Sequence, residues 1–219
     1  MDVLKLNKKA WDKIGEKTAS SYIKHKKYLK VFNLFCSKLP KNASVLDFGC
    51  GPGLPFTREL VKRGFNVTAI DISDTMIKVA KKSVPEAEYI RVSMTDMDFE
   101  EKFDGIFSGY SMLCLDPKNF EIAAKKAVKS LKRGGFFFLA LNEPPSGHKE
   151  EENYTEIMGQ KMYSRPYAEN EIRTVFSKLN MKIIKIDREI VRSKAYGKEY
   201  ALLILMQKHG KGYLSGIKL

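Results

Sequence analysis

The residues with the clearest chemical purpose lie between Val45 and Asp71. Val45-Leu-Asp47-Phe-Gly49-Cys50-Gly51-Pro-Gly53 closes one apolar run and leads into a helical one. Glycines in a strand-to-helix turn permit positive φ and let a ligand approach the main chain. Open α/β sheets bind ligands beside the carboxyl ends of such strands. A phosphate-binding P-loop requires Gly-Lys-Ser/Thr at the helix start, but Gly53 is followed by Leu54-Pro55. The dinucleotide fingerprint G-x-G-x-x-G/A fails in both frames, because its sixth position is Leu54 or Phe56. What remains is a turn that cradles a nucleoside with no pyrophosphate to neutralise. Asp71 ends the next apolar run, 18 residues after Gly53. A carboxylate there can accept hydrogen bonds from both ribose hydroxyls. The helix-capping role falls to Ser73, ahead of Asp74 and Met76.

These residues need elements to hold them. Apolar runs and helical stretches alternate from Ser44 onward. Strands are expected at Ser44–Phe48, Asn66–Asp71, Glu88–Val92, Phe103–Ser108 and Gly135–Leu141. Helices are expected at Pro55–Arg63, Ser73–Ser83, Pro117–Leu131 and Ala168–Leu179. Such short, wholly apolar strands fit a parallel sheet covered on both faces. Met181–Glu189 and Glu199–Gln207 are joined by a segment too short for a crossover helix, so they return antiparallel at one edge. Thr18–Leu39 reads as one amphipathic helix with Tyr28, Val31, Phe32, Phe35 and Leu39 on a stripe. Glu143–Pro166 is the one long irregular stretch, of the kind that usually forms a functional lid or a disordered insert.

Asp47-Phe-Gly49-Cys50-Gly51-Pro-Gly53 together with Ala69-Ile-Asp71-Ile-Ser resembles the class I S-adenosylmethionine-dependent methyltransferases over residues 11–207. The resemblance implies a seven-stranded, doubly wound, mixed α/β sheet of order 3-2-1-4-5-7-6 with the last strand antiparallel. It also implies S-adenosylmethionine as cofactor and S-adenosylhomocysteine as product. On that basis Gly49, Cys50, Gly51 and Gly53 approach the methionine and ribose. Asp47 orients the loop and reaches the amino group, and Asp71 holds the ribose. Ile72 and Met76 flank the adenine, with Met94 covering it and Ser93 standing where relatives carry an acid. Gly109 and Tyr110 border the methionine moiety.

Methyl transfer from a sulfonium mainly requires that the acceptor be aligned and water excluded. A base is needed only where the acceptor must first lose a proton, so the motifs define the donor and leave the acceptor open. Asn/Asp-Pro-Pro-Tyr/Phe, the mark of exocyclic amine methylation in nucleic acids, is missing after the fourth strand, which reads Ser108-Gly-Tyr-Ser. Cys114 between two leucines lacks the context of a cytosine-C5 nucleophile, and no Asp/His cluster suggests a metal. The resemblance places the acceptor between the N-terminal segment and the 143–166 insert. Candidate pocket residues there are Trp11, Tyr22, Glu143, Gln160, Tyr163, Arg165 and Tyr167, with His148, Tyr163 and Tyr167 as candidate catalytic groups.

The 219-residue chain carries 39 Lys and Arg against 26 Asp and Glu, a net charge of +13. Residues 1–41 hold 11 Lys against Asp2, Asp12 and Glu16, which is +8 of that excess. Three scattered cysteines exclude a disulfide framework and favour a reducing cytosol. No run has the length of a membrane span, and Met1–Ala10 lacks the apolar stretch of a secretory signal. The expected organisation is a basic helical cap (1–41), a cofactor domain (42–209) with a lid at 143–166, and a basic tail (210–219). The expected activity is cytoplasmic methylation of a small-molecule acceptor, with no membrane partner. The rival readings are an RNA or protein methyltransferase gripping its partner through the basic helix, and a non-catalytic binding module.

Overall fold

The computed structural model describes residues 2–15, 25–193 and 197–210. Five apolar runs form the parallel strands β1 (Ser44–Phe48), β2 (Asn66–Asp71), β3 (Glu88–Arg91), β4 (Phe103–Gly109) and β5 (Leu131–Asn142). Side chains alternate across a strand, so adjacent residues enter opposite cores. Leu46, Ile106 and Phe137 pack on one face with Phe120 and Phe176. Val45, Phe107 and Phe138 pack on the other with Phe32 and Phe35. Both faces are dry, which is why these strands show no polar alternation.

The covering helices are α1 (Val3–Ile14), α2 (Lys26–Lys38), α3 (Phe56–Lys62), α4 (Asp74–Ser83), α5 (Pro117–Ser130) and α6 (Glu169–Ser177). Between β5 and α6 lies a separate antiparallel pair, β6 (Tyr154–Ile157) and β7 (Gln160–Tyr163). The chain ends in β8 (Met181–Ser193) and β9 (Gly197–Lys208). The main sheet has the order β3-β2-β1-β4-β5-β9-β8, with β9 antiparallel to both neighbours. With the small hairpin set aside, this is the expected 3-2-1-4-5-7-6 order of a doubly wound sheet. β5 starts at Leu131 rather than Gly135, because Leu131 pairs with Phe103 across a register shift before Gly105 meets Phe136.

Two segments differ from the sequence expectation. The 143–166 insert is not irregular throughout, since it holds the β6–β7 hairpin. Met158 and Gly159 make its turn with φ of 50° and 76°, the double positive φ that suits the twist of a two-residue hairpin loop. In place of one helix from Thr18, α2 begins at Lys26, and Thr18–Lys24 lie outside the described residues. Glu189 of β8 fixes the α2 start: its Oε2 accepts from the main-chain N–H groups of Lys27 and Tyr28 at 3.1 and 3.3 Å. A carboxylate at this helix end satisfies otherwise orphaned donors and complements the dipole.

α1 stands in front of this sheet as a cap. Val3, Asn7, Ala10 and Ile14 form its buried stripe, at the i, i+4, i+7 spacing of one helix face. Ala10 and Ile14 pack with Met76 of α4 and with Ile157 and Met162 of the hairpin. Asp12 ties the helix down, accepting from Ser73 Oγ at 2.7 Å, Thr75 N at 3.2 Å and Lys8 Nζ at 2.7 Å. Burial works to raise the Asp12 pKa, but these donors together hold it below the ordinary carboxylate value.

Candidate functional site

β1 has parallel neighbours on both sides, so its carboxyl end lies where the winding of the sheet reverses and a crevice opens. The glycine turn sits there, with Gly49 N and Cys50 N both donating to Ile70 O at 3.0 and 2.9 Å. Gly49 has φ of +90°, and a Cβ on it would lie 2.4 Å from Ser111 Cβ and 2.5 Å from Met94 Cε. No larger residue fits. Asp71 Oδ2 accepts from Gly51 N and Oδ1 from Ser73 N, each at 2.9 Å. Each carboxylate oxygen therefore keeps capacity for another donor. Burial raises the Asp71 pKa to about 6, while the Ser73 and Gly51 amides pull it the other way.

A cavity of about 230 Å³ opens above this turn. Gly49, Gly51, Asp71, Ile72, Met76, Ser93, Met94, Gly109, Tyr110 and Trp11 line it. Asp47, Cys50 and Gly53 lie behind the wall instead. Asp47 is buried and accepts a 2.6 Å hydrogen bond from Thr57 Oγ1, so it fixes α3 to β1 beneath the turn. Burial pushes its pKa to about 7. The Cys50 thiol donates to Gly51 O, and Gly53 packs its bare Cα against Ala80 and Tyr89. Ser93 Oγ is engaged locally by Thr95, at 2.8 Å to Oγ1 and 3.3 Å to the main-chain N–H.

Tyr110 departs from ordinary backbone geometry, with φ of 57° at the end of β4. Its N–H donates to Ala140 O at 3.0 Å, and its ring stacks on Tyr28 at 5.6 Å. A tyrosine in this region is strained and persists only where its surroundings impose it. Burial raises its phenol pKa.

The remaining walls come from residues that the motifs did not indicate. Leu4 and Asn7 of α1, His25, Tyr28, Phe56 and Ser111 also line the cavity. One signal was present: Asn7 interrupts the apolar stripe of α1. Its Nδ2 donates to Cys114 O and Tyr163 O, and its Oδ1 accepts from Tyr163 N, all at 2.8 Å. A single amide thus pins the lid hairpin to the cap.

A second cavity of about 340 Å³ adjoins the first, and Asn142, Ile157, Ser164 and Glu199 line both. Glu143, His148 and Arg165 line the second. His148 has both ring nitrogens engaged, Nδ1 at 2.9 Å from Glu152 Oε2 and Nε2 at 2.9 Å from Asn153 Oδ1. Glu143 is held by Arg188, which also bonds Glu169. Gln160 bonds Gly159 O at the hairpin tip and lines neither cavity. Tyr163 and Tyr167 also line neither and are packing residues. The Tyr163 ring packs on Tyr154, and Tyr167 stacks on Phe120 and donates to Leu115 O at 2.6 Å. Tyr22 lies outside the described residues. Among the described residues no cluster of three or more metal-ligating side chains occurs, and no helix is long and apolar enough to cross a membrane.

Comparison with known proteins follows the same lines. Residues 45–135 match the family model of a methyltransferase domain. Over 142 residues the chain is 33% identical to a ubiquinone biosynthesis O-methyltransferase of Hydrogenovibrio crunogenus, covering 60% of this chain and 55% of that one. Over 115 residues it is 35% identical to mouse EEF1A lysine methyltransferase 2, covering 47% of each. The chain thus spans only about half the length of these curated relatives. Among solved structures, 1,6-didemethyltoxoflavin-N1-methyltransferase of Burkholderia thailandensis, with bound S-adenosylhomocysteine, superimposes with a TM-score of 0.73 at 18% identity. That match covers 94% of this chain and 88% of the other.

Proposed function

We propose, from the premise that this chain carries a class I S-adenosylmethionine-dependent methyltransferase domain, that it methylates a small-molecule acceptor held beneath α1 and the β6–β7 hairpin. The observation that carries this reading is the pair of adjoining cavities at the carboxyl ends of β1, β2 and β4. One is walled by the glycine turn and Asp71, the other by lid residues.

The first cavity fits the cofactor. Gly49 leaves a cradle that a Cβ would fill, Asp71 offers acceptor capacity to ribose hydroxyls, and Ile72, Met76 and Met94 give apolar surface for an adenine. When bound, S-adenosylmethionine supplies a methyl group on a sulfonium whose positive charge is lost on transfer. The rest of the work is positioning. The glycine turn and Asp71 orient the donor, Asp47 holds that turn through Thr57, and α1 with the 143–166 lid closes the site against water. With the cofactor bound, the acceptor's nucleophilic atom would attack the methyl carbon in line with the C–S bond, with S-adenosylhomocysteine as the leaving group.

The likeness to a protein-lysine methyltransferase raises a second reading, an acceptor side chain on another protein. The enclosing cap and lid favour the smaller acceptor. Titrating S-adenosylhomocysteine calorimetrically into the protein and into Asp71→Ala tests the cofactor assignment. The expected result is saturable binding that weakens about tenfold or more in the variant, as charge-assisted hydrogen bonds are lost. No heat from either protein overturns the assignment. Binding without turnover on any acceptor would instead support a non-catalytic module.

A further inference from the structure

Glu199 stands at the junction of the two cavities and is not among the residues that the motifs assign to the donor. It comes from the start of β9 and lines both cavities. Asn142 Nδ2 donates to its Oε1 at 2.7 Å. Among the described residues no cation is paired with it. Most charged and titratable groups around it have partners of their own, although Arg165 and Lys198 also line the second cavity and Arg165 Nη1 is buried without a hydrogen-bond partner among the described residues. Arg165 of the lid is bonded to Glu171 and lies over the Tyr167 ring, and Lys198 of β9 lies over the Tyr200 ring. His148 of the lid is held by Glu152 and Asn153. Glu143 at the end of β5 is taken by Arg188. Glu189 of β8 caps α2. Tyr110 of β4 is phenolic, and His25, ahead of α2, lines only the first cavity.

A second unpaired acceptor lies beside it. Asn142 Oδ1 is buried and has no hydrogen-bond partner among the described residues. Buried acceptors of this kind are normally satisfied, and one that is not costs free energy unless a ligand donates to it. Aromatic rings of Trp11, Tyr28 and Tyr110 complete the adjoining wall. A carboxylate, a carbonyl and aromatic faces around one space are what an ammonium or amino group recognises, through charge-assisted N–H bonds and cation–π attraction. A phosphate or carboxylate would meet Glu199 unfavourably. In a chain of net charge +13, this locally anionic spot stands out.

We propose that the junction of the two cavities is an amine-binding acceptor site, in which Glu199 and Asn142 hold the acceptor nitrogen and Trp11, Tyr28 and Tyr110 of the first cavity supply the aromatic faces. This rests on the methyltransferase reading, and it names the acceptor class that reading leaves open. Desolvation raises the Glu199 pKa, with the Asn142 amide opposing it, so the carboxylate gains from a cationic partner.

Matched probes test it without relying on turnover. Tyramine and its alcohol counterpart, 4-(2-hydroxyethyl)phenol, are each titrated into the protein saturated with S-adenosylhomocysteine, followed by calorimetry and by ligand-observed NMR. The expected result is tighter binding of the amine, with its advantage reduced about tenfold or more in Glu199→Gln. That variant keeps the shape and the hydrogen bond to Asn142, and Asn142→Asp serves as a second variant that should strengthen amine binding. Equal binding of the two probes, no binding of either, or an amine preference unchanged by both substitutions overturns the proposal. Loss of S-adenosylhomocysteine binding by the wild type would instead refute the methyltransferase reading, so the two failures are distinguishable.

Discussion

Two carboxylates beneath the same turn have been turned to different uses by their partners. Asp71 is bonded by two amides and faces the cavity, whereas Asp47 has Thr57 as its partner and faces none. Burial raises Asp47 to about 7, which fixes the sign of a stability effect. The unfolded chain releases this proton near the ordinary carboxylate value, the folded chain only near 7. Between these values the unfolded state binds fewer protons, so folding stability contributed by protonated Asp47 is present at low pH and is lost as pH rises. Asp47→Asn keeps an acceptor for Thr57 and removes the titration. Thermal unfolding at pH 5 and pH 8 should show the variant gaining on the wild type at the higher pH, by at most about 3 kcal/mol. A stability difference independent of pH would show that Asp47 is ionised throughout. For Asp71 the same sign holds in the free protein. Ribose hydroxyls favour its charged form, so S-adenosylhomocysteine affinity should rise from pH 5 to pH 8, and Asp71→Asn should flatten that rise.

At the scale of elements, the cap and lid depend on a few polar pins rather than on a large core. α1 meets the hairpin through Ala10, Ile14, Ile157 and Met162, and through two hydrogen bonds between Asn7 and Tyr163, while a third ties Asn7 to Cys114 O. Truncating Asn7→Ala leaves the Tyr163 amide, the Tyr163 carbonyl and the Cys114 carbonyl without that partner, a cost of roughly 1–3 kcal/mol for each buried group left unsatisfied. The cost should fall locally. Hydrogen exchange is expected to accelerate across residues 154–163 while β1, β4 and β5 keep their protection, because elements with few buried contacts open independently of the core. Uniform loss of protection would show the cap to be integral to the sheet. Whether the hairpin was visible beforehand is a matter of length. Its strands have four residues each, too few to establish a period against the polar insert around them. α2 was visible through its apolar stripe, but its start is set by Glu189, more than 160 positions along the chain.

At the scale of the molecule, the charge of +13 is spread over surfaces that partly neutralise themselves. Lys8 of α1 bonds both Asp12 and Asp74, and Lys126 and Lys129 bond Asp98. The first cavity, by contrast, is lined mainly by apolar residues, and the second sets Glu143, Glu152, Glu156 and Glu199 against Arg165 and Lys198. Binding to single-stranded RNA should therefore be weak, with a log–log salt slope no steeper than about −2. A tight complex with a slope near −5 would restore the nucleic-acid reading of the basic N-terminal segment. Occupation of the donor cavity should also stabilise the whole fold. Thermal unfolding at 100 times the dissociation constant of S-adenosylhomocysteine is expected to gain about 2.7 kcal/mol.

The sequence by itself determined the alternation of strands and helices, the glycine turn and Asp71, while the strand order came only with the family resemblance. Each of the three depends on short-range facts: short apolar runs between helical stretches, positive φ at Gly49, and a carboxylate at a strand end. It also marked the 143–166 insert as the place for a lid. Only the tertiary structure decided which aromatic residues face the cavities and which pack beneath them. Tyr163 and Tyr167 entered the core because Asn7, Tyr154 and Phe120 provide partners there. Glu199 and Asn142 became neighbours because β9 lies antiparallel beside β5, with Asn142 opposite Ala201. That register joins residues 57 positions apart, and no local pattern in either strand records it.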